Sequence, residues 1–266
     1  MTAFALIGVG KLGEALLSGL IRSGRAKEQV IAAERYEGRA KEIAETYGVR
    51  TTTPAEAVAD ADVVLLAVKP QDMRTALRDL SKAVTKDKVV VSMAAGITTA
   101  LLEEELPEGT RCVRVMTNTP VFVDEAMSVV CAGSHATEAD LEMVEELLRP
   151  VGQVIRLPEH QLDAVTALSG SGPAYFFYLV EAMIDAGILL GLPRAIAAQL
   201  IVQTAVGSAK MLKESDEHPV VLREAVMSPA GTTISAIRVM EDHGVRAAML
   251  AALEAARDRS AELGGS

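Results

Sequence analysis

The hexapeptide Gly8-Val9-Gly10-Lys11-Leu12-Gly13 constrains this chain more than any other feature of it. It comes directly after the apolar run Phe4–Ile7 and opens an amphipathic stretch over residues 11–23. Glycines at this spacing suit a strand that turns sharply into a helix. Gly8 permits the tight turn, Gly10 lets a diphosphate approach the backbone, and Gly13 lets helix and strand pack closely. The first helical N–H groups, those of Lys11 and Leu12, lack partners inside the helix and favour an anion. A glycine-rich turn without a ligand can have the same spacing, so the motif gains its meaning from the rest of the chain.

Beyond the motif, strand-like and helix-like segments alternate. Apolar runs recur at 30–33, 63–68, 89–93, 113–116 and 127–131, and 154–157 is a last candidate before Pro158. Helix-patterned stretches lie between them at 38–47, 73–83 and 138–148. Strand and helix in turn predict βαβ units and a mainly parallel sheet. Near-continuous apolar runs suit strands covered on both faces. After about residue 160 the strand signals stop and Ala-rich helical sequence takes over, broken at 169–173, 191–193, 218–219 and 228–231. Aromatic residues make up 3% of the chain and Trp is absent, so its cores are built from Ala, Leu, Val, Ile and Met. The expected fold is α/β. A Rossmann-type, doubly wound sheet forms a dinucleotide-binding domain over 1–158, and an all-helical domain spans 159–266.

Candidate ligand residues follow from that plan. Glu34, 21 positions after Gly13 at the end of the second strand, stands where an acid accepts a ribose 2′-hydroxyl. Arg35 beside it suits a 2′-phosphate, which tips the expectation slightly to NADP(H) and leaves NAD(H) possible; a solvated loop charge is the plainer alternative. Val68, Lys69 and Pro70, then Ala95, then Asn118 come after successive strands. Ligands of open α/β sheets sit outside the carboxyl ends of strands, so these positions line one crevice, although Pro, Gly and Asn also serve as ordinary loop devices. In the helical part, Ser169-Gly170-Ser171-Gly172-Pro173 precedes a long apolar helix and suits a tight helix crossing, with Pro173 in the first turn. Ser228-Pro229-Ala230-Gly231-Thr232-Thr233 precedes another helix. Its threonines either cap that helix or stand beside amides that bind a carboxylate.

Composition excludes other classes. A net charge of −10 argues against a nucleic-acid surface. Two cysteines, Cys112 and Cys131, provide neither a disulfide framework nor a zinc site, and no metal is expected. A reduced, cytoplasmic setting fits, and the N-terminus carries no basic leader pattern. The stretch 174–192 is very apolar, but Glu181 and Asp185 share one of its faces, which favours a buried interface helix over a membrane span.

Six segments, in this order, resemble the pyrroline-5-carboxylate reductase family across essentially the whole chain: GVGKLGEALLSGL, AVKPQDM, MAAGIT, VMTNTPVFV, ALSGSGPAYFFYLVEAMIDAGILLGLPR and SPAGTTISAIRVME. The last two are far more specific than the glycine pattern. The resemblance implies an NAD(P)H-dependent reductase that converts 1-pyrroline-5-carboxylate to L-proline, the last step of proline biosynthesis. It also implies a C-terminal helical domain that dimerises and binds substrate, in a homodimer or higher homo-oligomer. Carried over by position, Thr233 is the catalytic candidate, bonded to the ring nitrogen of the substrate. Ser228 and the amides of Gly231 and Thr232 hold its carboxylate. The departures are Ala230 where the family usually has Gly, Thr117 where many members have Pro, and Glu125-Ala126 in place of a common Glu-Gly pair. A β-hydroxyacid dehydrogenase shares the two-domain plan but uses a helix Lys after its glycine-rich loop; here no Lys occurs after Gly172 until Lys210. A nucleotide-binding regulatory protein without catalysis is the rival of another class.

Overall fold

The computed structural model describes residues 2–264. The chain divides into two compact units. One comprises the residues up to Ser171 together with the last stretch from Ala256, and the other is Gly172–Ala255.

The first unit is built on one sheet of eight strands: β1 (Phe4–Ile7), β2 (Val30–Ala33), β3 (Arg50–Thr51), β4 (Val63–Leu66), β5 (Val89–Ser92), β6 (Arg111–Met116), β7 (Ala126–Ala132) and β8 (Gly152–Arg156). Their order across the sheet is β3-β2-β1-β4-β5-β6-β7-β8. Every neighbouring pair is parallel except β6 with β7. That exception has a simple cause: a short 3-10 turn, Thr119–Val123, joins the two strands, and a parallel return needs a crossover of a dozen or more residues. Between the strands run α1 (Lys11–Arg22), α2 (Glu37–Tyr47), α3 (Pro54–Ala59), α4 (Met73–Leu80), α5 (Thr99–Glu105) and α6 (Glu138–Leu148).

The apolar runs are continuous because both sheet faces are covered. Phe4 and Leu6 join the core on one face with Leu16, Leu17 and Leu20 of α1. Ala5 and Ile7 join the core on the other face with Met73 and Leu77 of α4. Each main strand from β1 to β5 is buried throughout. The sequence patterns locate these strands to within two residues and miss β3, α3 and α5. Those three are too short for periodicity to register. The two helices are marked by caps instead: the hydroxyls of Thr53 and Thr98 accept the N–H groups of Glu56 and Leu101.

The expected boundary after residue 158 marks where strands end, while compactness divides the chain after Ser171. The intervening turns pack on the sheet unit. Leu162, in α7 (Leu162–Val165), shares a cluster with Val129 and Cys131. Glu159 accepts the N–H of Thr99 at 2.8 Å and pairs at 2.8 Å with Arg114, which is buried in β6.

The second unit holds α8 (Gly172–Leu189), α9 (Arg194–Glu214), α10 (Pro219–Ala225), α11 (Thr232–Asp242) and the first part of α12 (Val245–Gly264). Pro173 falls in the first turn of α8, as its fixed φ favours. Gly187 of α8 lies against Ala197 of α9, a close approach that a side chain on Gly187 would block. Only Gly172 in α8 and Ala197 in α9 are buried. Phe176, Phe177, Tyr178, Leu189, Leu190 and Leu200 are all exposed. By length and composition, Glu159–Leu189 and Arg194–Glu214 are apolar enough to cross a membrane. The expected interface helix is therefore an apolar surface that this chain alone leaves uncovered.

Candidate active site

The three glycines of the opening motif do three different jobs. Gly8 has φ +87°, a conformation L side chains rarely adopt, and its N–H donates to Ala33 O at 2.8 Å. A Cβ there would lie 3.0 Å from Ala67 O. A Cβ on Gly13 would run into Gly8 O, so α1 and the turn touch through this glycine. Gly10 differs from both: it is exposed, and beyond its two chain neighbours no heavy atom lies within 4 Å of where its Cβ would be. It is also the N-cap of α1, with no side chain capping the helix. The start of α1, with Lys11 and Leu12 in its first turn, thus faces open space with its amides unsatisfied. That is the cradle a diphosphate requires.

Neighbouring side chains fix this loop. The Val9 N–H donates to the Glu34 carboxylate at 2.9 Å, and the Val9 carbonyl accepts Arg39 Nε at 3.3 Å. The other Glu34 oxygen accepts the Tyr36 N–H at 3.2 Å. Arg39 is also paired with Glu14, which accepts the Tyr47 hydroxyl at 3.1 Å. Burial and the Glu14 carboxylate raise the Tyr47 pKa, so the phenol remains a donor. Glu34 is therefore a carboxylate held in place by two amides. Arg35 is exposed, with its guanidinium 5.7 Å from the centre of the Tyr36 ring.

The remaining dinucleotide candidates fall on adjacent strand ends. Val68, Lys69 and Pro70 lie beyond β4, Ala95 beyond β5, and Asn118 beyond β6. The sheet order makes these three strands neighbours and sets β1 and β2 on the other side of β4. Between the parallel strands β1 and β4 the order in which strands are added reverses, and this is the switch point at which such sheets bind nucleotides. Lys69, Pro70 and Ala95 are exposed, and Val68 and Asn118 are half-buried. The side chain of Asn118 is engaged within the protein. Its Oδ1 accepts Met127 N–H at 2.9 Å, and its Nδ2 donates to Ser169 O at 3.1 Å and to Ser169 Oγ at 3.3 Å.

In the second unit, Ser228–Gly231 forms a turn closed by Gly231 N–H on Ser228 O at 3.0 Å. Gly231 is the N-cap of α11, and no side chain caps that helix. The Gly231 amide, expected to face a carboxylate, here closes the turn, and the amides of Thr232 and Thr233 follow it in the first turn of the helix. The capping role open to Thr232 and Thr233 is not realised, since both lie inside the helix. Ser228 and Thr232 are exposed and Thr233 is half-buried. Ala230 adopts φ 57°, in the left-handed region that favours glycine.

The sequence carries no local signal for the contacts of Arg39 and Ser169. Arg39 lies 30 residues from the carbonyl it holds, and no local pattern announces such a contact. Ser169 lies in a loop whose small residues suit a helix crossing, and it instead meets the Asn118 side chain.

Residues 159–263 match the family model described as pyrroline-5-carboxylate reductase dimerisation. Residues 3–96 match that described as NADP oxidoreductase coenzyme F420-dependent. The chain is 46% identical to a pyrroline-5-carboxylate reductase of Corynebacterium melassecola, over 99% of each chain. It is 44% identical to one of Methanosarcina acetivorans, over 97% of this chain and 96% of that one. Among solved structures, a pyrroline-5-carboxylate reductase of Coxiella burnetii superposes with TM-score 0.92 at 36% identity, covering 98% of both chains. A Plasmodium falciparum pyrroline carboxylate reductase with NADP bound gives 0.90 at 27% identity, covering 99% of this chain and 98% of that one.

Proposed function

The chain belongs to the pyrroline-5-carboxylate reductase family, and from that premise we propose that it reduces 1-pyrroline-5-carboxylate to L-proline with a nicotinamide dinucleotide, the last step of proline biosynthesis. The observation that carries the reading is the open space at Gly10, beside the uncapped start of α1 at the switch point of the sheet. Gly8, Gly10, Lys11, Leu12 and Gly13 take the diphosphate, and Glu34 and Arg35 flank the adenosine ribose. Val68, Lys69, Pro70, Ala95 and the Asn118 segment line the nicotinamide half. Arg35 tips the balance slightly to NADP(H) by offering a 2′-phosphate a charged partner, and Glu34 opposes it, so NAD(H) is also accepted.

The nicotinamide, when bound, supplies hydride to the imine carbon, and a proton ends on the ring nitrogen. A protonated imine is already electrophilic, so the protein's work is mainly placement. Ser228 and the first amides of α11 hold the substrate carboxylate, and the Thr233 hydroxyl orients the ring nitrogen. No histidine or lysine occurs in 169–173 or 228–233, which agrees with a reaction that needs no strong general base. This also disfavours β-hydroxyacid dehydrogenation, which requires such a base on the alcohol. The helical unit completes its core with a second copy of the chain, as a homodimer or larger assembly, and neither nucleic acid nor membrane is required. A reducing, cytoplasmic setting suits the two buried free cysteines, whose thiol pKa values burial raises to about 12 for Cys112 and about 11 for Cys131.

The test is oxidation of NADPH and of NADH, monitored by absorbance, with pyrroline-5-carboxylate as acceptor. Turnover with proline as product is expected. Dinucleotide binding without turnover would leave the non-catalytic regulatory reading.

A further inference from the structure

Asn118 is engaged more fully than a cofactor ligand needs to be. It is the N-cap of the 3-10 turn Thr119–Val123, yet its side chain makes no cap bond there. Its carboxamide instead joins three segments: its own strand end, the start of β7 through Met127 N–H, and Ser169 through two contacts. Ser169 lies in a π-helical turn, Thr166–Gly170, whose wide ring closes where Ser171 N–H meets Thr166 O at 2.8 Å. Such turns are rare and recur at functional sites. The turn rests directly on β6, since a Cβ added to Gly170 would press on Met116 Cε. Asn118 thus straps an irregular turn to the carboxyl end of β6.

That edge matters for the reaction. With the dinucleotide laid across the switch point, Glu34 after β2 marks the adenosine end and α1 the diphosphate. The reacting half then extends over β4, β5 and β6, where the Ser169 turn is fixed. We propose that Asn118 is a positioning residue for hydride transfer: it pins the Ser169 turn to the end of β6, and the pinned turn sets where the reacting end of the dinucleotide lies. The proposal rests on the reductase reading. It differs from that reading in giving the side chain of Asn118 no bond to the cofactor. A purely structural role, closing the β6–β7 connection through Met127, would give the residue no influence on the chemical step.

Asn118→Asp separates these roles. The substituted side chain keeps an oxygen for Met127 N–H, loses both donors to Ser169, and sets a negative charge against the Ser169 carbonyl. Four quantities are compared with wild type: the unfolding midpoint, the Kd for NADPH by fluorescence titration without imine, kcat, and the deuterium isotope effect with NADPH labelled at the transferred position. For a folded variant, Kd should stay within about threefold. The kcat should fall on the order of 10- to 100-fold, as for a misplaced reacting atom, and the isotope effect should rise as hydride transfer becomes limiting. Wild-type kcat and isotope effect in folded Asn118→Asp would overturn the proposal. A Kd that rises in step with the fall in kcat would do so too, by making Asn118 a direct ligand. If that variant does not fold, Ser169→Gly decides, because it removes the hydroxyl contact and loosens the turn while leaving Asn118 in place. A few-fold loss of kcat with a raised isotope effect supports the proposal, and wild-type values overturn it. Wild-type protein that binds NADPH but reduces no imine would overturn the reductase reading itself.

Discussion

The two units treat their apolar residues in opposite ways. In the sheet unit, Phe4, Leu6, Leu16, Leu17, Leu65 and Leu77 are sealed from water by helices on both faces. In the helical unit, Phe177 is 69% and Leu189 is 89% exposed, and α8 and α9 bury almost nothing. Burial of apolar surface is the main drive to fold; the first unit closes its own core, and the second leaves most of the apolar surface of α8 and α9 uncovered. Hydrophobic sequence alone does not distinguish the two cases. The difference lies in whether the chain supplies its own cover, and large uncovered apolar patches mark association surfaces.

The largest effect should come from breaking that association. Phe177→Asp puts a charge into the proposed subunit interface, where an unpaired buried ion costs about 3–5 kcal/mol. Light scattering should show dissociation or aggregation, with loss of turnover. Ile155→Asp, at an exposed apolar position on β8 in the sheet unit, should leave assembly unchanged. A soluble, active monomer of the wild-type chain would end the distinction between the units.

Next in size is a test of whether the units divide the chemistry as they divide the apolar surface. Thr233→Ala should lower catalytic efficiency on the order of 10- to 1000-fold, the range from one neutral hydrogen bond to a well-placed orienting group. Thr233→Ser should keep most activity, and NADPH affinity should barely change in either variant. Because Thr233 caps no helix, its loss should cost little stability. A fall in unfolding temperature with intact turnover would remove Thr233 from the site.

The complementary substitution lies in the sheet unit and has a smaller effect. Arg35→Ala should raise the KM for NADPH about tenfold, as expected for one charge-assisted bond of about 1.5–3 kcal/mol partly offset by solvent exposure, and leave the KM for NADH nearly unchanged. Glu34→Gln should move the balance the other way, toward NADPH, since it removes the anion that repels a 2′-phosphate. Equal changes with both cofactors would mean that these residues hold the loop without reading the ribose.

These sites differ in how legible they were in sequence. The glycine motif, the strand ends and the two special loops could be read because each is a local pattern with a local physical cause: a turn, a cap or an apolar run. The bonds of Glu34 to Val9, Arg39 to Val9 and Asn118 to Ser169 could not, since partners 25, 30 and 51 residues apart meet only through the topology of the sheet. Sequence alone does not decide whether Thr233 caps its helix, for a related reason. Capping depends on which residue is the N-cap, and a shift of one or two positions changes the answer.

The smallest effect concerns backbone strain, and here too the units contrast. Among the described residues, two besides glycine have positive φ: Asp124 in the sheet unit at 60° and Ala230 in the helical unit at 57°. Asp tolerates this region because its short polar side chain can bond locally, and Asp124 also pairs with Arg22 at 2.6 Å. Ala230 has no such compensation. It carries the left-handed penalty of roughly 1–2 kcal/mol for an L side chain, partly offset by the roughly 0.4–1 kcal/mol that Ala gains over Gly in the unfolded chain. Ala230→Gly should therefore stabilise the protein by up to about 1.5 kcal/mol, read as a small rise in unfolding temperature. Asp124→Gly should give no gain, because the relief it brings is cancelled by the lost polar contacts and the added chain entropy. The loop geometry is the same with either residue, so the KM for the imine should stay within about twofold in Ala230→Gly, the scale of a few tenths of a kcal/mol. A destabilised Ala230→Gly would mean that the loop relaxes out of the left-handed region in solution, and the turn that brings Ser228 up to the first amides of α11 would have to be drawn differently.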